Sequence, residues 1–169
     1  MSYRLIRVFC AAPGNLEKEK QLFQDAAAEC NAAEGMAAGC LFVPLSVSLK
    51  LKGQDVVDAN IRLSDYFLLV LDDTWGPPGK SFEHDYLLAE ACRAGAELPM
   101  REVIVFLKDT PADRVEADLE RFRRAIAESA APRHHVFRDA AEFGLQVRAL
   151  LSEWLESEVH PARQAGSGQ

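Results

Sequence analysis

The chain has 169 residues, of which 49% are apolar, and it carries a formal charge of −7 with a pI near 5.1. That length and apolar share fit a single domain with a full core. An acidic balance without a gathered Lys/Arg face excludes the electrostatic footprint of a nucleic-acid binder.

In chain order, "RLIRVFCA" (residues 4–11) is a short apolar run closed by "APGN", which predicts a strand and a turn. Asn15 is placed to cap a helix through about Ala33, with Leu16, Glu19, Phe23, Ala26 and Cys30 along one stripe. "CLFVPLSVS" (40–48) predicts a second strand, and because Pro44 has no N–H for a ladder bond, that strand belongs at a sheet edge. "GQDVVDANIRLS" predicts a short amphipathic helix. "DYFLLVLDD" follows, apolar without alternation, as expected of a strand buried on both faces.

The next helix is expected from about Phe82 to Ala94, and "EVIVFLKD" is another uninterrupted apolar strand. Pro111 is expected to start a helix whose Val115, Leu119, Phe122 and Ile126 share a stripe. "HHVFRD" is a brief last strand, and Phe143, Val147, Leu150 and Trp154 stripe the closing helix. Residues 1–159 then make one domain, and "HPARQAGSGQ" is expected to be a disordered tail. The four cysteines form no CxxC pair and lie in apolar stretches, the pattern of small buried hydrophobes in a reducing compartment. The opening "MSYRLIRVFC" is too short and charged for a signal peptide, and no apolar run approaches the ~20 residues of a membrane span. The expected location is the cytoplasm, with no membrane partner.

Strands alternating with helices predict an α/β fold, an open parallel sheet with helices on both faces. The first, third and fourth strands are the fully apolar ones, so they belong inside. The order 2-1-3-4-5 satisfies this with right-handed crossovers. A sheet of that order leaves a crevice beyond the carboxyl ends of strands one and three. Cys10 and Ala11 border it on one side. Asp72, Trp75 and the helix start at Ser81, Glu83 and Asp85 border it on the other.

The loop "CAAPGN" lacks the acids of a magnesium-dependent phosphoacceptor and the hydroxyls of a flavodoxin phosphate cradle, and neither GxGxxG nor GxxxxGK[ST] occurs. Asp85, Leu88, Ala89 and Cys92 fall on one helical stripe facing the sheet, whereas Glu83 shares a face with Tyr86, Leu87 and Glu90. Ser81 as a cap, with both acids complementing the positive helix end, is the purely structural explanation of the same residues. No His or Cys spacing indicates a metal site.

Gly53-Gln54, Ser64-Asp65, Trp75-Gly76 and Glu83-His84-Asp85-Tyr86, set around these strands, resemble the pattern of TIR-like (Toll/interleukin-1 receptor-like) domains of bacterial defence and signalling proteins, over roughly residues 4–108. The resemblance implies a flavodoxin-like fold and, in catalytic members, cleavage of NAD, with a helix-borne carboxylate assisting loss of nicotinamide from the ribose. It implies no required cofactor, NAD being the substrate. Nucleoside deoxyribosyltransferases look similar and use such a carboxylate as nucleophile. Three positions depart from the pattern. Asp85 stands where catalytic members have a glutamate, and Ala11-Ala12 stands where they have hydroxyl side chains. A non-catalytic module that self-associates or docks with a protein partner is therefore expected as the alternative.

Overall fold

The computed structural model describes residues 2–46, 53–76 and 81–161, without the side chains of Ser46 and Ser81. Five strands, β1 (Arg4–Ala11), β2 (Cys40–Ser46), β3 (Tyr66–Leu71), β4 (Glu102–Lys108) and β5 (Arg133–Phe137), form one sheet in the order β2-β1-β3-β4-β5. Every neighbouring pair is parallel. The expected doubly wound sheet is therefore the architecture of the chain, and the fold is flavodoxin-like.

Burial explains the order. All of β3 is buried, and in β4 only the two end residues are partly exposed, so both need helices on each face. β2 is an edge, with Pro44 opposite Val8. Its outer side is closed by Asn31, whose amide nitrogen donates to the Phe42 carbonyl at 2.9 Å while its oxygen accepts from the Phe42 N–H at 2.8 Å. One side chain thus satisfies the backbone of an edge residue that would otherwise invite another strand.

Side chains of β1 alternate between the two layers. Ile6, Val8 and Cys10 join the core under α1 (Glu17–Cys30) and α6 (Ala140–Val159). Phe9 and Ala11 join the core under α3 (Gln54–Arg62), α4 (Ser81–Ala94) and α5 (Ala117–Ala127). The polypeptide leaves α1 through a π-helical turn (Asn31–Gly35) into a last turn, α2 (Met36–Ala38), and ends on left-handed Gly39. Cys10, Cys40 and Cys92 are buried and Cys30 half-buried, all as free thiols. Burial pushes the Cys10 thiol up to about 12, so it does not act as a nucleophile at neutral pH.

Three expectations for helix boundaries are corrected. Asn15 does not cap α1; it lies in a 3₁₀ turn (Gly14–Leu16), and its amide reaches Asp73 instead, at 3.1 Å. The helix also runs past Ala33, because the π turn carries it on to Ala38. Pro111 does not open α5 either: after a 3₁₀ turn (Ala112–Arg114) the backbone extends at Val115, and Glu116 precedes the helix. The extension lets the Glu116 N–H donate to the Asp73 carbonyl while its carboxylate accepts from the Trp75 N–H. Of the expected tail, residues 162–169 lie outside the described residues. Among the described residues no helix is long and apolar enough to cross a membrane.

The amino ends of the strands carry a polar cluster on the side away from the crevice. Glu158 of α6, its side chain fully buried, accepts from the Tyr66 hydroxyl at 2.7 Å and pairs with Arg4 at 2.6 Å and with Arg101. Trp154 stacks on Tyr66 with ring centroids 4.2 Å apart. Burial pushes the Tyr66 and Tyr86 hydroxyls up to about 12. Both values are raised by folding, so their contribution is complete below the ordinary tyrosine value of about 10 and is lost as pH climbs through the folded value. Denaturant midpoints measured across alkaline pH are expected to fall in that window together with the rise of phenolate absorbance. A midpoint independent of pH there would refute it.

Candidate functional site

The site is built where α3 and α4 start, at the carboxyl end of the sheet. Gly53 precedes α3 with φ of 106°, a conformation open to glycine at little cost, and its carbonyl accepts from the Val57 N–H. Val57 and Ile61 bury one face of α3. Gln54 and Asp58, one helical turn apart, then share another face. On α4, Ala89 and Cys92 are buried and Leu88 half-buried, as the stripe predicts, and Asp85 at its leading end is 0% exposed.

That buried carboxylate is held from the neighbouring helix. Gln54 Nε2 donates to Asp85 Oδ1 at 2.9 Å and to Asp58 Oδ1 at 2.8 Å. His84 Nε2 lies 3.1 and 3.3 Å from the two Asp58 oxygens. Burial works to raise the Asp58 carboxyl, but hydrogen bonds from Gln54 and His84, with the charges of His84 and Arg62, outweigh it. They hold the group below the usual carboxylate range. Asp58, His84 and Asp85 offer ligand atoms within 4.8 Å of one another, a donor set that could accept a divalent cation. In the observed arrangement Gln54 and His84 already engage Asp58, and Gln54 engages Asp85.

The other expected site residues are distributed as follows. Glu83 is half-buried on the adjacent face of α4, beside Tyr86, which packs edge-on against Phe122 at 5.1 Å. Cys10 and Ala11 are buried with side chains on opposite faces of the sheet, so only their backbone can meet a ligand. Asp72 accepts from Thr110 and from Asn15 at 3.5 Å and lies 3.8 Å from Lys108, which makes it a strut between the ends of β3 and β4 and the turn after β1.

Trp75 is 2% exposed and meets Phe122 edge-on at 4.8 Å. Its ring is spent on core packing in this conformation. Ser81 opens α4, its side chain lying outside the described part of the structure, as do Pro77 to Lys80.

Ser64 and Asp65 have a mechanical explanation. The buried Ser64 hydroxyl donates to the Asn60 carbonyl at 2.7 Å and closes the end of α3. The Asp65 carboxylate accepts from the Arg7 N–H, its own N–H donates to the Arg7 carbonyl, and its carbonyl accepts from the Arg101 N–H. Asp65 therefore joins the entry points of three strands.

Gly76 has φ of 81°, and a Cβ there would lie 2.5 Å from the Phe82 ring. Gly76→Ala is expected to destabilise the fold by about 2–3 kcal/mol, combining left-handed strain with overpacking. Thermal unfolding of the variant checks this, and an unchanged Tm would refute it.

Sequence reasoning missed Asp58 and the role of Gln54. The available signal was their four-residue spacing on a helix entering the same crevice. A separate groove of about 550 Å³, bordered by Glu34, Glu153, Glu156 and Val159, lies on the other side of the sheet and is not part of this site.

No protein-family model matches the chain. No curated protein matches it either. Among solved structures, the metal-soaked Flv1 flavodiiron core from Synechocystis sp. PCC6803 is similar over 88% of this chain, with 12% identity and a TM-score of 0.44. The chain spans 36% of that structure's length.

Proposed function

We propose that this chain is a TIR-like domain that breaks the N-glycosidic bond of NAD or a related nucleotide, with Asp85 as the working carboxylate and Glu83 as the second acid of the helix start. The observation that carries the reading is a fully buried carboxylate at the crevice end of α4, oriented by a hydrogen bond from Gln54 of the neighbouring helix. A negative charge fixed in a low-dielectric setting stabilises a developing oxocarbenium ion far more than one in water.

In the reaction the bond from ribose C1′ to the pyridinium nitrogen breaks and its electron pair leaves with nicotinamide. A water oxygen then bonds to C1′ and releases a proton, which leaves ADP-ribose. Incubating the purified protein with NAD at millimolar concentration, dilute and under crowding, is expected to release nicotinamide. Absence of release in both conditions counts against the reading.

A second reading, a non-catalytic module for self-association or partner docking, draws on two observations. Asp85 has no exposed surface, so a substrate reaches it only after rearrangement. Leu63 on the residue ending α3 and Leu87 on α4 are 57% and 58% exposed on the same side of the sheet. Light scattering over a concentration series decides it: a strict monomer argues against self-association.

A further inference from the structure

Two helices that follow different strands meet at one amide. Gln54 comes from the first turn of α3 and Asp85 from the second turn of α4, 31 residues later in the chain. A glutamine amide has two N–H hydrogens. Here both are taken by carboxylates, at 2.8 Å by Asp58 and 2.9 Å by Asp85, so two acceptors fix the amide's orientation. Asp58 in turn engages the His84 ring. The result is a chain of contacts, His84 to Asp58 to Gln54 to Asp85, running from an exposed imidazole to a carboxylate without solvent-exposed surface. The Gln54 amide restricts the Asp85 side chain without itself bringing a charge.

We propose that Gln54 is the positioning residue of this site, holding the Asp85 carboxylate in register from the neighbouring helix and coupling it to the Asp58–His84 pair. The inference rests on the reading of Asp85 as the working carboxylate. The charged groups acting on Asp58 include His84 of α4 and Arg62 of α3. Gln54 is otherwise exposed, so substitutions there are compatible with folding.

Two variants separate the roles: Gln54→Leu, which keeps the bulk and removes the donors, and Gln54→Asn, which keeps an uncharged amide with two N–H donors on a shorter side chain. With NAD as substrate, Gln54→Leu is expected to lower kcat by about 10–100-fold and leave KM within about twofold, because orientation rather than binding is lost. Gln54→Asn recovers part of the rate. An unchanged kcat in Gln54→Leu, or a loss confined to KM, overturns the proposal.

The second measurement needs no turnover. In carboxyl-carbon NMR, the Asp85 signal is expected to shift when His84 is replaced by alanine in the wild-type background, and not to shift on the same replacement in Gln54→Leu. A shift that persists in the Gln54→Leu background, or is missing from the wild-type background, refutes the coupling. If the wild type releases no nicotinamide, the glycosidase reading falls and this NMR comparison alone judges the positioning role.

Discussion

Asp85→Asn is expected to slow nicotinamide release by about 10²–10³-fold, the loss typical of removing one well-placed electrostatic partner of a transition state, roughly 3–4 kcal/mol. Asparagine preserves the shape, and its oxygen still accepts from Gln54, so the fold is retained and the missing quantity is charge. Glu83→Gln is the paired experiment, expected to cost less. Glu83 is half-buried on a different face of α4, whereas Asp85 is fully buried and fixed by a hydrogen bond from α3. Measured kcat values that fall more for Glu83→Gln than for Asp85→Asn would reverse the assignment. Because Asp85 is one methylene shorter than glutamate, Asp85→Glu also reports on reach. A faster variant would mean that the natural side chain holds its charge short of the reacting carbon.

The largest expected effect on stability lies at the opposite end of the sheet. Replacing Arg4 and Arg101 together by alanine leaves Glu158 as a buried carboxylate that still accepts from the Tyr66 hydroxyl. Breaking a buried pair from the side that strands a charge costs about 3–5 kcal/mol. In a chain of this size that lowers Tm by on the order of 10 °C. Removing the acid instead should be milder. In Glu158→Gln the two guanidinium groups, 47% and 43% exposed, turn to water, and the loss reduces to hydrogen bonds worth about 1.5–3 kcal/mol. Thermal or denaturant unfolding of both variants gives the comparison. Equal destabilisation would mean that the buried charge itself contributes nothing to the asymmetry.

Pro44 and the polar, short β5 already assigned those strands to the edges, and the unbroken apolar runs of β3 and β4 assigned them to the interior. With right-handed crossovers, these facts leave the order that the sheet has. The stripe through Asp85, Ala89 and Cys92 was equally legible, because helical periodicity states which face is covered.

What covers that face is a different kind of information, and only the tertiary structure supplied it. Gln54 donates to Asp85, His84 engages Asp58, 26 residues away, and Tyr66 donates to Glu158, 92 residues away. Trp75 and Asp72, legible as crevice residues from their place after β3, were claimed by Phe122 and by Thr110 and Lys108, from segments that reach them only on folding. Local pattern fixes burial because each residue's exposure repeats with the geometry of its own helix or strand. The identity of a cross-chain contact depends on register between elements, which no local period encodes.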